Sequence, residues 1–227
     1  MPINAHLSAA VIQRFLWAEI YTTPASPGIY AWYYSPEITL FDLKEAIESL
    51  EELLCSGNKD EARCYVRELL DKRLFHYFRE LPYRARIAGP LKPTHEGYLE
   101  HKPDISDSLV SRIVECPQRL QLIRDVLEVS APHFASPLYI GMSDNLRQRL
   151  SKHKSLIEKY RSRGVRDETD RTHTQAGDMS FADQIVQRRI PPERLFVVIC
   201  ELTNLDSDPV DIENILNRIY YPVLGRN

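Results

Sequence analysis

The chain has 227 residues, enough for a full hydrophobic core and a second lobe. Hydrophobic residues make up 43% and charged residues 27%, ordinary for a folded protein, and the longest apolar run, Leu195 to Cys200, is far too short to span a membrane. The formal net charge of −3 excludes wholesale coating of nucleic acid and leaves any such binding to local charge.

The expected address is cytoplasmic, because the N-terminal stretch is amphipathic and then acidic and polar from Glu19 onward, unlike a leader peptide. Cys55, Cys64, Cys116 and Cys200 show neither a C-x-x-C pair nor a regular spacing, so they read as free thiols rather than a disulfide framework or zinc cage.

In chain order, Ala5 to Ile20 places Leu7, Val11, Phe15 and Trp17 near helical spacing, so residues 1–27 read as an N-terminal helix and lead-in, ended by Pro24 and Pro27. Gly28 to Tyr34 is aromatic and β-branched and closes at Ser35-Pro36, a strand signature. From Thr39 to about Arg79, Leu43, Ile47, Leu50 and Leu54, then Val66, Leu69, Leu70 and Leu74, predict a helical hairpin broken at Ser56-Gly57-Asn58. The prolines and glycines between Leu81 and Asp104 predict a long loop. Helical spacing returns from Ser106 to Val129 around Pro117, and Pro132 to Pro137 leads into a second strand at Leu138 to Gly141.

Asp144 can cap a helix running from Asn145 to about Tyr160, with Leu146, Leu150 and Ile157 on its apolar face. A polar loop to about Gly177 follows. Leu195 to Leu202 is an apolar run of strand length, and Asp208-Pro209 opens a last helix carrying Ile212, Ile215, Leu216 and Ile219.

The order strand, strand, helix, strand, helix predicts a small α+β domain, residues 28–34 plus 138–227, interrupted by a mostly α-helical insertion over 35–137. The insertion carries 14 basic and 18 acidic residues. Asn145 to Arg166, by contrast, carries eight lysines or arginines against one acid, Glu158, and would draw a phosphate backbone.

Gly28-Ile29-Tyr30 and Tyr139-Ile140-Gly141 are the two signature tripeptides of the GIY-YIG nuclease superfamily. The second is followed by Arg149 and His153, spaced as on that family's helix, and Glu213 resembles its metal-binding glutamate, with Pro222 beyond it. Gly-Ile-Tyr-Ala-Trp-Tyr-Tyr and the closing Ile-Tyr-Tyr-Pro-Val-Leu look most like the GIY-YIG type II restriction enzymes. The resemblance spans Pro27 to Tyr34 and Leu138 onward. It departs from the family where residues 31–138 replace a short hairpin between the two tyrosines, and where the supporting asparagine has only Asn227 as a late candidate.

The resemblance implies a three-stranded antiparallel sheet flanked by helices, and a metal-dependent endonuclease acting on double-stranded DNA. Its site would hold one Mg²⁺ or Mn²⁺ on Glu213, with Tyr30 as general base, Tyr139 assisting by hydrogen bonding, Arg149 on the phosphate and His153 orienting or relaying a proton. Site-specific, restriction-like cleavage of both strands would require a homodimer. A structure-specific repair, homing or mobile-element nickase, and an idle scaffold binding DNA or a protein partner, stay open as alternatives.

Physical reasoning supports the placement: Arg149 and His153 are i and i+4 and project from one helical face beside Leu146, Leu150 and Ile157. Glu213 lies beside the stripe of Ile212, Leu216 and Ile219, which predicts a carboxylate emerging at the border of core and solvent. A hard cation held by one carboxylate keeps positions open for water and phosphate. Phosphate contacts are expected from Arg147, Lys152, Lys154, Arg161 and Arg163, with Arg166 nearby, and target contact within the insertion from Arg84 and Arg86 beside Lys92 and Tyr98. His95 and His101, six apart in a proline-rich loop, do not form a ligand signature.

Overall fold

The computed structural model describes residues 11–79, 82–90, 92–99, 104–162, 180–202 and 210–225, and the chain divides into two compact units, Met1–Ser35 with Glu128–Asn227, and Pro36–Leu127. Both are built of helices and antiparallel sheet, so the fold class is α+β. Among the described residues no helix is long and apolar enough to cross a membrane.

The first unit is organised by a four-stranded antiparallel sheet, not the three-stranded one expected, because Ile12–Leu16 adds a strand at the edge of Leu195–Glu201. Its strands are β1 (Ile12–Leu16), β2 (Gly28–Tyr34), β5 (Tyr139–Ser143) and β6 (Leu195–Glu201), in the order β1-β6-β2-β5. The apolar run of β6 is buried because it is flanked on both sides, by β1 and by β2. The expected N-terminal helix is corrected here: residues 12–16 form β1, residues 17–22 form a 3₁₀ helix, and residues 1–10 lie outside the described residues. The apparent helical spacing yields to tertiary pairing, since laying Ile12–Leu16 along β6 satisfies the backbone of what is otherwise an exposed edge.

Register fixes the faces. Tyr30 stands opposite Gly141 and Trp32 opposite Tyr139, while Ile199 and Val197 oppose the same two residues from β6. Tyr30, Trp32 and Tyr139 therefore share one face, which α5 (Leu146–Ser162) and α6 (Phe181–Gln187) cover. Asn145, not Asp144, caps α5: its Oδ1 accepts from the Gln148 backbone N–H at 2.9 Å. Leu146, Leu150 and Ile157 are fully buried as expected, and His153 and Lys154 go in with them. The α6 helix, with no counterpart in the sequence reading, is started by a capping box in which Ser180 and Asp183 exchange side-chain contacts with each other's backbone.

The last helix, α7 (Val210–Tyr220), packs against β5. It turns Glu213, Leu216 and Asn217 inward, whereas Ile212 and Ile219, expected on the buried stripe, are exposed, Ile219 to 61%. The position of the expected Asp208-Pro209 helix start lies outside the described residues.

The second unit has its own core, built where α1 (Leu40–Cys55), α2 (Lys59–Leu70), α3 (Asp107–Glu115) and the first half of α4 (Arg119–Phe134) meet over Leu43, Leu50, Val66, Ile113 and Leu120. Thr39 caps α1 by accepting from the Asp42 backbone N–H, and the buried Asp42 carboxylate takes an ion pair from Arg73. After α2 the chain makes a π-helical turn over Asp71–Phe75 and a 3₁₀ turn over His76–Phe78.

The long loop expected between Leu81 and Asp104 is a β-hairpin over most of its length: β3 (Tyr83–Gly89) pairs antiparallel with β4 (Lys92–Leu99). Among the described residues β4 pairs with β3 alone, and Pro93 falls in a break of the register, where it has no partner residue across the ladder. The register shift between Ile87 and Gly89 absorbs the irregularity around it, and Gly89-Pro90 supply the turn.

Candidate active site

The two tripeptides meet across one ladder. Gly28 is required because a Cβ there would come within 2.5 Å of the Cys200 carbonyl oxygen and 2.7 Å of Leu146 Cδ1. Gly141 is required because a Cβ would come within 2.7 Å of the Tyr30 hydroxyl and 2.8 Å of its Cζ. Each glycine therefore makes room, the first for β6 and α5, the second for the Tyr30 ring that lies over it.

Around that ring four of the expected residues converge. The Tyr30 hydroxyl is 3.2 Å from His153 Nε2, and it accepts a hydrogen bond from Arg149 Nε at 3.2 Å. The Tyr139 ring lies 6.2 Å from that of Tyr30 and 6.0 Å from His153, within electrostatic reach of the Arg149 guanidinium. Glu213, the fifth, lies within electrostatic reach of both Tyr30 and Arg149.

The electrostatics follow from burial. Desolvation, followed by the neighbouring Tyr139, pushes the Tyr30 phenol well above its ordinary range of about 10, while Arg149 pulls it back. Desolvation lowers His153 to about 3, with the Arg149 and Lys152 cations adding to the effect, so the imidazole is neutral. Its Nε2 can then accept the phenolic proton, in the tautomer that keeps hydrogen on Nδ1. Burial also pushes the Glu213 carboxyl up, and Arg149 opposes that shift.

Glu213 brings a carboxylate within electrostatic reach of Tyr30, and among the described residues no three His, Cys, Asp or Glu side chains gather as a metal cage. A partly desolvated single carboxylate fits a hard divalent cation that keeps most of its coordination for water and phosphate oxygen, and does not fit a zinc site.

The cationic residues divide. Lys152 is exposed on α5, as is Arg147, whose Nε donates to the Thr23 carbonyl at 2.6 Å. Arg161 is exposed and pairs with Glu193 at 3.4 Å. Lys154 is corrected out of the phosphate-binding set: it is 7% exposed, donates to the Trp17 carbonyl at 2.9 Å, and its ammonium sits over the Trp17 and Tyr21 rings. Arg84 and Arg86 stand on the hairpin of the second unit. Arg163, Arg166, His101 and Asn227 lie outside the described residues.

Two lining residues escaped the sequence reading. Phe181 packs 5.1 Å from both Tyr139 and His153, and Trp32 stacks on Phe181 at 5.5 Å, so together they wall the site against water. The Ser180 to Asp183 capping box announces the helix carrying Phe181, and Trp32 falls two residues after Tyr30 on the same strand face.

No protein-family model, no curated protein and no solved structure matches this chain.

Proposed function

We propose that the chain is an endonuclease of the GIY-YIG type that hydrolyses phosphodiester bonds in double-stranded DNA with one divalent metal ion. The observation that carries the reading is the bonded cluster of Arg149, Tyr30 and His153, with Tyr139 and Glu213 beside it.

Those side chains can divide the chemistry of phosphodiester hydrolysis among themselves. Arg149 supplies a guanidinium for a non-bridging phosphate oxygen. Tyr30, too basic as a phenolate to persist at neutral pH, takes the proton of an attacking water while passing its own to His153 Nε2. A phosphate docked at Arg149 and Lys152 would offset the two cations that help to depress His153, so the proton acceptor gains basicity when substrate arrives. Glu213 would hold Mg²⁺ or Mn²⁺, which when bound polarises the phosphoryl oxygen and stabilises the leaving alkoxide. Trp32 and Phe181 exclude bulk water from the relay.

The exposed α5 cations Arg147 and Lys152 would add phosphate contacts, Lys152 on the side of the helix nearer Arg149. Site-specific cleavage of both strands, a homodimer that supplies two sites, and a cytoplasmic setting complete the reading.

Purified protein incubated with supercoiled plasmid should convert it to nicked or linear DNA in Mg²⁺ or Mn²⁺ and leave it intact in chelator. Undiminished cutting by Glu213→Ala would remove the metal assignment, and no cutting by the wild-type chain on any duplex would remove the function.

A further inference from the structure

We infer that the β3–β4 hairpin is a groove-reading ribbon, entering the DNA major groove to read guanines through Arg84 and Arg86. The inference rests on the reading of this chain as a DNA-cutting enzyme.

Four observations carry it. The first is the ribbon's isolation: Arg86, Ile87, Tyr98 and Leu99 are all exposed, Tyr98 to 76%, so neither face is buried in a core. A two-stranded ribbon with both faces in water buries too little to hold itself together, and such an element has a use only against something else.

The second is charge. Residues 83–99 carry Arg84, Arg86 and Lys92 against Glu96, net positive, inside an insertion that is net negative and a chain of net charge −3. A basic island on an acidic lobe matches a polyanion and would repel a second copy of itself.

The third is register. Arg84 opposes Tyr98 and Arg86 opposes Glu96, so all four side chains share one face. Glu96 forms ion pairs with both arginines, holding two guanidinium groups over that face. Its contact with Arg86 is through Nε, at 3.9 Å, so the terminal nitrogens of Arg86 remain to bond guanine O6 and N7 together. A carboxylate between the two also accepts from a cytosine amino group.

The fourth is size. The major groove is about 12 Å wide and admits a two-stranded ribbon, whose strands lie about 4.8 Å apart. Arg84 and Arg86, two residues apart, are spaced about 7 Å along the strand, close to two base-pair steps of about 3.4 Å.

The test uses the full chain and a duplex library with a randomised core. Bound duplexes are recovered and sequenced in chelator, and cleavage ends are mapped separately in Mg²⁺. The wild type should enrich a motif with guanines about two steps apart. Arg84→Lys and Arg86→Lys, which keep the charge, should each lose about ten-fold preference at one guanine while the salt dependence of binding stays as in the wild type. Arg84→Ala with Arg86→Ala should flatten the motif. These side chains are exposed, so unchanged melting temperatures certify the fold.

Enrichment of the same motif by both lysine variants would overturn the inference, leaving a ribbon that touches phosphate alone or a protein partner. No enrichment by the wild type would overturn it as well. A wild-type motif without cleavage in Mg²⁺ would leave the ribbon standing and remove the nuclease. Cleavage with a motif unchanged in every variant would do the reverse.

Discussion

The Tyr30 hydroxyl lies 3.2 Å from Nε2 of His153, although 123 positions of sequence separate them. Removing that hydroxyl separates chemistry from binding. Tyr30→Phe should lower the rate of plasmid cleavage by about 10²- to 10⁴-fold, the usual worth of a positioned acid or base, with DNA affinity unchanged. Because a buried imidazole nitrogen loses its partner, the variant should also be about 1–3 kcal/mol less stable in denaturant titration. Cleavage within a few-fold of wild type would show that the phenol takes no part.

His153 makes stability depend on pH with a definite sign. Its folded pKa of about 3 lies below the unfolded value of about 6.5, so between these limits the unfolded chain binds a proton that the native one refuses. The His153 contribution is thus fully present above pH 6.5 and is lost as pH falls towards 3, at up to about 1.4 kcal/mol per pH unit. His153→Gln should show a shallower fall over this window in urea titrations at stepped pH. An unchanged slope would mean that the imidazole is not held neutral.

Gly141 has no freedom to carry a side chain. Gly141→Ala should displace the Tyr30 ring, costing about 1–3 kcal/mol of stability by overpacking and most of the cleavage rate. Gly97, with open space around its Cβ direction, should accept alanine without a comparable steric clash. Melting curves of the two variants side by side check the contrast.

Lys152 and Lys154, two apart on α5, should fail in opposite ways. Lys152→Ala should leave the melting temperature alone and reduce the salt dependence of DNA binding by about one counterion. Lys154→Met should leave that slope alone and destabilise the fold by about 1–3 kcal/mol, because the Trp17 carbonyl and two aromatic faces lose their cation. The same salt slope for both variants would place Lys154 back on the phosphate.

What was legible in the sequence follows physical range. The strand run Gly28 to Tyr34 and the helix carrying Arg149 and His153 are written in local periodicity, and the structure realises both. Helical spacing near Phe15 misled because the competing partner, β6, lies far along the chain and no local signal reports it. Breaker density misled at 83–99, where Pro93 and Gly97 sit in a strand that, among the described residues, pairs with β3 alone. The candidate site was readable as residue types in order. The fate of Lys154 was not, because its charge alone does not tell whether a tryptophan carbonyl or a phosphate will receive it.

The strand order β1-β6-β2-β5 contains no pair of consecutive strands, so no ladder of this sheet is closed by a hairpin. Every ladder waits for distant chain, giving the first unit a high contact order and slow assembly. The second unit, with its core of helices packed over Pro36–Leu127, can consolidate earlier during synthesis. It then holds the chain on either side of it closer together than an unfolded segment would, reducing the entropy of closing β2 on β5. A polypeptide halted before Leu195 would own Tyr30, Tyr139, Arg149 and His153, yet lack Glu213 and the strand that flanks β2 on its other side. The five-residue cluster is therefore complete only late, once β6 has paired between β1 and β2 and α7 has brought Glu213 to it.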